Sequence, residues 1–366
     1  MSKAAELAKA GETLTNQPSG RKNIVTNGAM QVAQRGTSAT GLGGDGSTYN
    51  TCDRWKISTA DSAGRLTMTQ TADGPSGFAN CIKLDCTTVD TSIAAGEYLV
   101  LHQNFEGQDL QQIKKGTSDA EIITLSFYVK ANAAFTFGVE LVDNDNSRQI
   151  TKLYNTTTGW VRHELTFPAD TTGAFDDDVG SSISLYFWLH AGATYTSGTL
   201  NTAAWAGQIN ANRLAGIDSF YSSTDNNFFL TGVQLEIGSQ ATNFEHRSFG
   251  EELALCQRYF YMIGPDAECA VALAFARTTQ TAFGIRELPV TMRATPSLAF
   301  SDVTQFEIQY LGSVVTTSGM AASGEMSPQI IGFQATVGSA VLTAGQGMYI
   351  RDKDGGDATI SVSAEL

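Results

Sequence analysis

The chain has 366 residues, of which 42% are hydrophobic and 16% charged, and its formal net charge is -14. This charge and the lack of a basic run argue against nucleic-acid binding. No apolar run is long enough to cross a bilayer, and the first residues lack the apolar core of a signal peptide. The composition therefore favours a protein that folds in a cytoplasm, and the length favours two or three domains.

The first residues differ in pattern from the rest of the chain. Residues 2–15 read SKAAELAKAGETLT, a composition that favours a helix with Ser2 as its cap. The segment NQPSGRKN then breaks the pattern. We expect residues 1–21 to form a short helical arm that docks on another protein or starts an oligomer. A frayed terminus is the alternative.

Strict alternation of apolar and polar residues begins after about Lys22. The segments IITLSFYVK, FTFGVELVD and VRHELTF each place apolar side chains on one face of a strand. Many such strands at short spacing are typical of two antiparallel sheets packed face to face. The sequence therefore predicts an all-β fold, with a β-sandwich over residues 22–247.

One strand of this region carries aromatic side chains on both faces. The segment ISLYFWLHA places Tyr186, Trp188 and His190 opposite its apolar row. Rings beside polar groups suit the faces of sugars, and they also anchor protein interfaces. Together with Trp205 of the insert 191–216, these residues form the candidate glycan-binding site. The stronger alternative is that the insert covers the rings or that they lie in an interface.

A change of period marks the end of the sandwich. Ser248 and Glu251 match the S-x-x-E capping box and predict the start of a helix. We expect a linking helix over residues 248–263, and alternation afterwards predicts a smaller β domain over residues 264–366.

Motifs for catalysis are not apparent in the sequence. The four histidines match no hydrolase or metalloprotease spacing, and no glycine-rich phosphate loop is present. His163 lies on an apolar face and is expected to be a core residue. The acidic run Asp176–Asp178 lacks the spacing of an EF-hand, so we expect a solvated loop, with a structural Ca2+ ion as an unsupported alternative. We therefore expect no enzyme activity, cofactor or metal centre.

Several segments follow one another in a distinctive order along nearly the whole chain. They are NIVTNGAMQVAQRGTS, YNTCDRWKI, TLSFYVKA, GWVRHELTFPA, YTSGTLNTAAW, FFLTGVQLEIGSQATNFEHRSFGEELALCQRYF and LPVTMRATPSL. Their order, rather than any one motif, resembles a family of bacteriophage virion proteins that are usually described as tail fibre or structural proteins.

Two of these segments, TLSFYVKA and GWVRHELTF, also resemble strands of jelly-roll carbohydrate-binding modules. The resemblance implies a virion component that attaches to host-surface polysaccharide without catalysis. It also implies a homotrimer that joins other virion proteins through the arm, with Leu253, Cys256 and Phe260 as oligomer contacts. The alternatives are a purely structural tail, neck or head-decoration protein, and a glycan-cleaving tailspike, for which no repeat is seen.

Overall fold

A computed structural model of the chain describes Lys3 and residues 21–265, 269–353 and 357–366. The expected arm, residues 1–21, lies outside the described residues except for Lys3 and Arg21. Contacts between residues divide the chain into two compact units, the first extending to Glu252 and the second comprising Leu253–Glu365.

The first unit consists mainly of strands. They are β1 (Ser38–Gly43), β2 (Gly46–Tyr49), β3 (Lys56–Ala60), β4 (Arg65–Thr71), β5 (Cys81–Thr88), β6 (Tyr98–Glu106), β7 (Ile123–Ala131), β8 (Thr136–Asp143), β9 (Arg148–Asn155), β10 (Val161–Phe167), β11 (Ser181–Ala191), β12 (Ala206–Gly207) and β13 (Asn227–Ile237). Its short helix α1 is Ala193–Thr196, and its 3-10 turns are Gly107–Asp109, Gln111–Ile113, Asn210–Asn212 and Phe220–Ser222.

These strands form two antiparallel sheets that enclose one apolar core. Sheet 1 has the order β1-β4-β5-β13-β7-β10, and sheet 2 has the order β12-β9-β8-β11-β6-β3-β2. Successive strands β6, β7 and β8 change sheets each time, as in a jelly roll. The alternating segments supply the core, in which Phe127 packs edge-on against Phe187 at 5.1 Å. The expected all-β jelly-roll sandwich is confirmed.

The insert 191–216 lies against the outer face of sheet 2. Leu214 is fully buried and packs with Trp188 and Val100 of that face. The backbone of Leu214 is fixed by a hydrogen bond from its amide to the carbonyl of Tyr195. The insert therefore forms a cover over the middle of sheet 2.

The linking helix α2 extends over Phe249–Gln257. The side chains of Ser248 and Glu251 form the expected capping box, since the Ser248 amide donates to Glu251 at 2.9 Å and the Glu251 amide donates to the Ser248 hydroxyl at 3.3 Å. The helix ends earlier than the sequence predicts. Residues 260–263 form strand β14, because Phe, Tyr and Ile favour extended backbone and pair here with a strand of the second unit.

The second unit combines a closed barrel with a small sheet. The barrel has the order β15-β16-β20-β19-β18-β21, and the sheet has the order β14-β22-β17. Phe306, Ile308 and Phe333 are fully buried in the core of this unit. The strands are β14 (Phe260–Ile263), β15 (Ala270–Ala276), β16 (Thr281–Glu287), β17 (Ser297–Phe300), β18 (Phe306–Tyr310), β19 (Ser313–Ala322), β20 (Ile330–Val337), β21 (Gly347–Asp352) and β22 (Ile360–Ser363), with a 3-10 turn at Val303–Gln305.

Candidate functional site: two aromatic faces

Strand β11 presents its predicted aromatic row on the outer face of sheet 2. Trp188 is only 3% exposed there, and its indole Nε1 donates to Glu140 Oε2 at 2.8 Å. The insert supplies Tyr195, whose ring centroid lies 5.3 Å from that of Trp188. Trp188 is thus a packed side chain beneath the insert.

An ion pair fixes the insert to this face. Arg213 donates from Nε and Nη2 to the carboxylate of Glu140, at 2.9 Å to Oε1 and 2.8 Å to Oε2. Its guanidinium carbon also lies 4.7 Å from the ring centroid of Trp188. Burial raises the pKa of Glu140, and the guanidinium of Arg213 opposes that rise. A buried pair of this kind is costly to break from one side.

His190 and Trp205 are also enclosed. His190 is fully buried, with Nδ1 2.7 Å from the Ser219 hydroxyl, and burial lowers its pKa. Trp205 is 8% exposed and donates from its indole to the carbonyl of Pro168 at 3.0 Å. The candidate ring platform is therefore corrected for Trp188, His190 and Trp205, which are buried. The stronger alternative, that the insert covers the outward rings, describes Trp188.

Tyr186 is the one residue of that candidate set that stays half-exposed among the described residues. Its ring centroid lies 4.9 Å from that of His102, which is itself buried and bonded to the Ser58 hydroxyl at 2.8 Å. Burial is the main cause that lowers the pKa of His102, to about 3. Tyr186 thus offers one half-exposed ring, because its neighbour Trp188, with a centroid distance of 6.0 Å, is buried.

The predicted oligomer contacts are largely covered within one copy of the chain. Cys256 is fully buried, and Phe260 is 3% exposed and pairs with Ser363 in strand β22. Phe260 therefore lies on strand β14. The expectation that it lies on the linking helix is wrong. Leu253 is half-exposed and keeps part of its surface free.

The outer face of sheet 1 carries a second aromatic surface, which the sequence analysis did not single out. Phe229 of β13 is only 8% exposed and lies between Lys83 of β5 and Lys130 of β7 in the strand register. Trp160, directly before β10, lies beside Lys130, whose Nζ is 5.3 Å from the centre of the indole ring. We call Lys83, Phe229, Lys130 and Trp160 the sheet-1 row.

A ring cluster continues this surface over a bulge in β13. Phe78 packs against Tyr128 and Phe244 with centroid distances of 5.3 Å and 5.0 Å, and His246 stacks beside them. Gly232 lies beneath, with φ of +62°, and a Cβ there would come within 2.8 Å of both Phe78 and Tyr128. Only glycine suits that backbone and that contact. The segment 238–246, which leads to α2, supplies two of these rings.

The sequence contained weak signals for this surface. Phe228 and Phe229 are adjacent in one strand, so one ring must face outward when the other is buried. Tyr128 and Lys130 also alternate with the apolar residues of β7. The sequence does not specify the strand register that places these side chains of four neighbouring strands in one row.

Histidine, cysteine and acidic side chains elsewhere do not gather into a site. In the described ranges, no group of three or more of them is placed to hold a metal ion. His163 is half-buried, bonds to the carbonyl of Asn155 at 2.8 Å, and has a pKa lowered by burial. Asp176–Asp178 are exposed. The groups on the sheet-1 face are rings, ammonium groups and carboxylates, which suit reversible binding.

Comparison with known proteins gives only loose matches. No protein-family profile and no curated protein matches the sequence. A family 11 carbohydrate-binding module from Clostridium thermocellum in complex with a mixed-linked tetrasaccharide is 12% identical, with 53% of this chain and 91% of that chain covered and a TM-score of 0.28. TmCBM61 in complex with beta-1,4-galactotriose is 9% identical, with 60% and 100% covered and a TM-score of 0.30.

A phage protein is among the matches. The enzymatically active domain of tailspike protein 4 of bacteriophage CBA120 is 12% identical, with 59% of this chain and 21% of that chain covered and a TM-score of 0.30. These likenesses are too loose to bear on function. Within the described part of the chain, no helix is both long and apolar enough to span a membrane.

Proposed function

We propose that the first unit binds a carbohydrate reversibly, without catalysis, through the outer face of sheet 1. The observation that carries this proposal is the sheet-1 row, in which the half-exposed ring of Trp160 lies in line with Lys130, the nearly covered ring of Phe229 and Lys83 across neighbouring strands. Aromatic rings pack against the C–H faces of sugars, while charged and amide groups bond to hydroxyls. The half-exposed ring of Trp160 is the part of the indole that is open to a sugar, since its Nε1 is buried and has no acceptor among the described residues.

We further propose that the chain is a virion component, in a tail fibre or spike, that attaches to host-surface glycan. The sequence resemblance supports this part. A single shallow face binds weakly, and a trimer would raise the overall affinity through multivalency.

A glycan array tests the binding surface. The intact chain should bind at least one host-type polysaccharide, and Trp160→Ala should lose that signal. Phe249→Ala is the matched control, because Phe249 is an aromatic side chain that is 57% exposed and lies on α2. Silence across the host's own surface polysaccharides, or equal loss in both variants, would contradict the proposal.

A purely structural virion role is the second candidate, and the barrel of the second unit favours it. Leu273 and Ile285 pair across β15 and β16, and they are 76% and 46% exposed. Uncovered apolar side chains in one row are typical of contacts between proteins.

Sedimentation at several concentrations tests this second candidate. Self-association that Leu273→Ser weakens would support assembly through the barrel, and a monomer at every concentration would count against it.

A further inference from the structure

The sheet-1 row brings two ammonium groups to one ring. Nζ of Lys130 lies 4.5 Å from the ring centre of Phe229, and Nζ of Lys83 lies 5.6 Å from the same centre. Cation–π contacts hold both side chains along the sheet rather than out in solvent. Two like charges so placed repel each other, and an anion beside them relieves that repulsion.

Two carboxylates currently balance these charges from the rim. Asp73 lies 2.6 Å from Nζ of Lys130, and Asp85 lies 2.8 Å from Nζ of Lys83. Asp73 is 50% exposed and Asp85 is 35% exposed. Ion pairs with exposed carboxylates contribute little to stability, so an acidic group on a ligand can replace either carboxylate at little cost.

The third cation of this face, Arg162, is held by a backbone carbonyl as well as by a carboxylate. Arg162 lies 2.7 Å from Glu164 and also donates to the carbonyl of Thr242. The place for an anion is therefore beside Lys83 and Lys130, next to Trp160.

Resting on the proposed function, we infer that the glycan recognised by sheet 1 carries an acidic sugar, whose anionic group binds between Lys83 and Lys130 while a neighbouring sugar ring packs on Trp160. The chain as a whole has a formal charge of -14. A densely charged polymer is repelled by that charge, whereas an isolated acid on an otherwise neutral glycan meets only the local cations. The ligand class is thus a sparsely acidic polysaccharide.

Calorimetric titration with matched oligosaccharides tests this inference. The pairs differ by one acidic sugar: sialyllactose with lactose, and a glucuronic-acid-substituted xylo-oligosaccharide with its unsubstituted form. The acidic member of at least one pair should bind about tenfold more tightly or better, which corresponds to about 1.4 kcal/mol. The double variant Lys83→Ala/Lys130→Ala should lose this preference and keep weak binding of the neutral member.

Two further variants separate local recognition from general charge. Lys114→Ala is the matched control, because Lys114 is 52% exposed and paired with Glu121, which precedes β7 at the end of that strand opposite Lys130. It should leave the preference unchanged. Asp73→Asn removes a competing carboxylate and should tighten binding of the acidic member by a few-fold, which a merely structural role of the lysines does not explain.

The outcomes distinguish this inference from the proposed function. Equal affinity for both members of every pair, with binding still lost in Trp160→Ala, would overturn the acidic ligand and leave carbohydrate binding standing. A second outcome would also overturn the inference: heparin binds more tightly than the matched oligosaccharides, and Lys114→Ala weakens that binding as much as Lys83→Ala/Lys130→Ala does. The preference would then reflect general charge. Absence of binding to acidic and neutral glycans alike would remove the proposed function as well.

Discussion

The two outer faces of the sandwich carry similar aromatic residues in different surroundings. On sheet 2, Trp188 is covered by the insert and its indole is bonded to Glu140. On sheet 1, the ring of Trp160 is half-exposed beside Lys130, although its indole Nε1 is buried and has no acceptor among the described residues. An outward ring on a strand therefore does not by itself indicate a binding surface. Whether a ring is available to a ligand depends on whether another segment of the chain covers the ring and bonds its polar atom.

Breaking the ion pair beneath the insert should have one of the largest effects on stability. Arg213→Met leaves the Glu140 carboxylate buried without its cation, which costs about 3 to 5 kcal/mol. Urea unfolding measures the loss, and the double variant Glu140→Gln/Arg213→Met should recover part of it. A loss below about 1 kcal/mol in the single variant would mean that the insert does not hold a closed cover.

Replacing the two tryptophans compares the faces directly. Trp188→Ala should lower the free energy of unfolding by about 3 to 5 kcal/mol, as for other buried tryptophans. Trp160→Ala should cost about 1 kcal/mol or less, because its ring is partly in solvent already. Thermal unfolding of both variants checks this, and equal losses would show that the faces are not different in packing.

The covered face should also give the protein a dependence on pH. Burial lowers the pKa of His102 to about 3, whereas the unfolded chain binds that proton below about pH 6.5. The unfolded state therefore gains protons first, and stability falls as the pH drops from about 6.5 toward 3. Between pH 6.5 and 4.5 this amounts to about 2.3 kcal/mol.

The variant His102→Gln isolates that dependence. Its stability should fall less steeply than that of the wild type over the same pH range, in denaturant titrations at each pH. Identical slopes for the two proteins would show that His102 is not held neutral beneath Tyr186.

A smaller effect is expected at the bulge under the ring cluster of sheet 1. Gly232→Ala places a side chain at a positive φ and against Phe78 and Tyr128, which costs about 1 to 2 kcal/mol. Because these rings border the sheet-1 row, glycan affinity should also fall. Gly41→Ala is the control for backbone strain without ring displacement, because Gly41 has a φ of +70° and nothing lies within 4 Å of an added Cβ.

The sequence predicts the local parts of this architecture well. Alternation identified the strands around Phe127 and Phe187, and the Ser248 and Glu251 capping box identified the start of α2, because each depends on neighbours in the sequence. The site depends on distant contacts instead. Insert residue Arg213 covers Trp188 from 25 positions away. No local pattern specifies that contact, or the register that aligns Phe229 with Lys130.

The four tryptophan indoles allow the most direct test of the binding face. Three of them donate hydrogen bonds inside the fold: Trp55 to Asn27, Trp188 to Glu140 and Trp205 to Pro168. In a nitrogen–proton correlation spectrum, adding the glycan that the array returns should move the Trp160 indole signal, assigned with Trp160→Ala, and leave the other three in place. Movement of the Trp188 or Trp205 signal with Trp160 unchanged would contradict the assignment of binding to sheet 1.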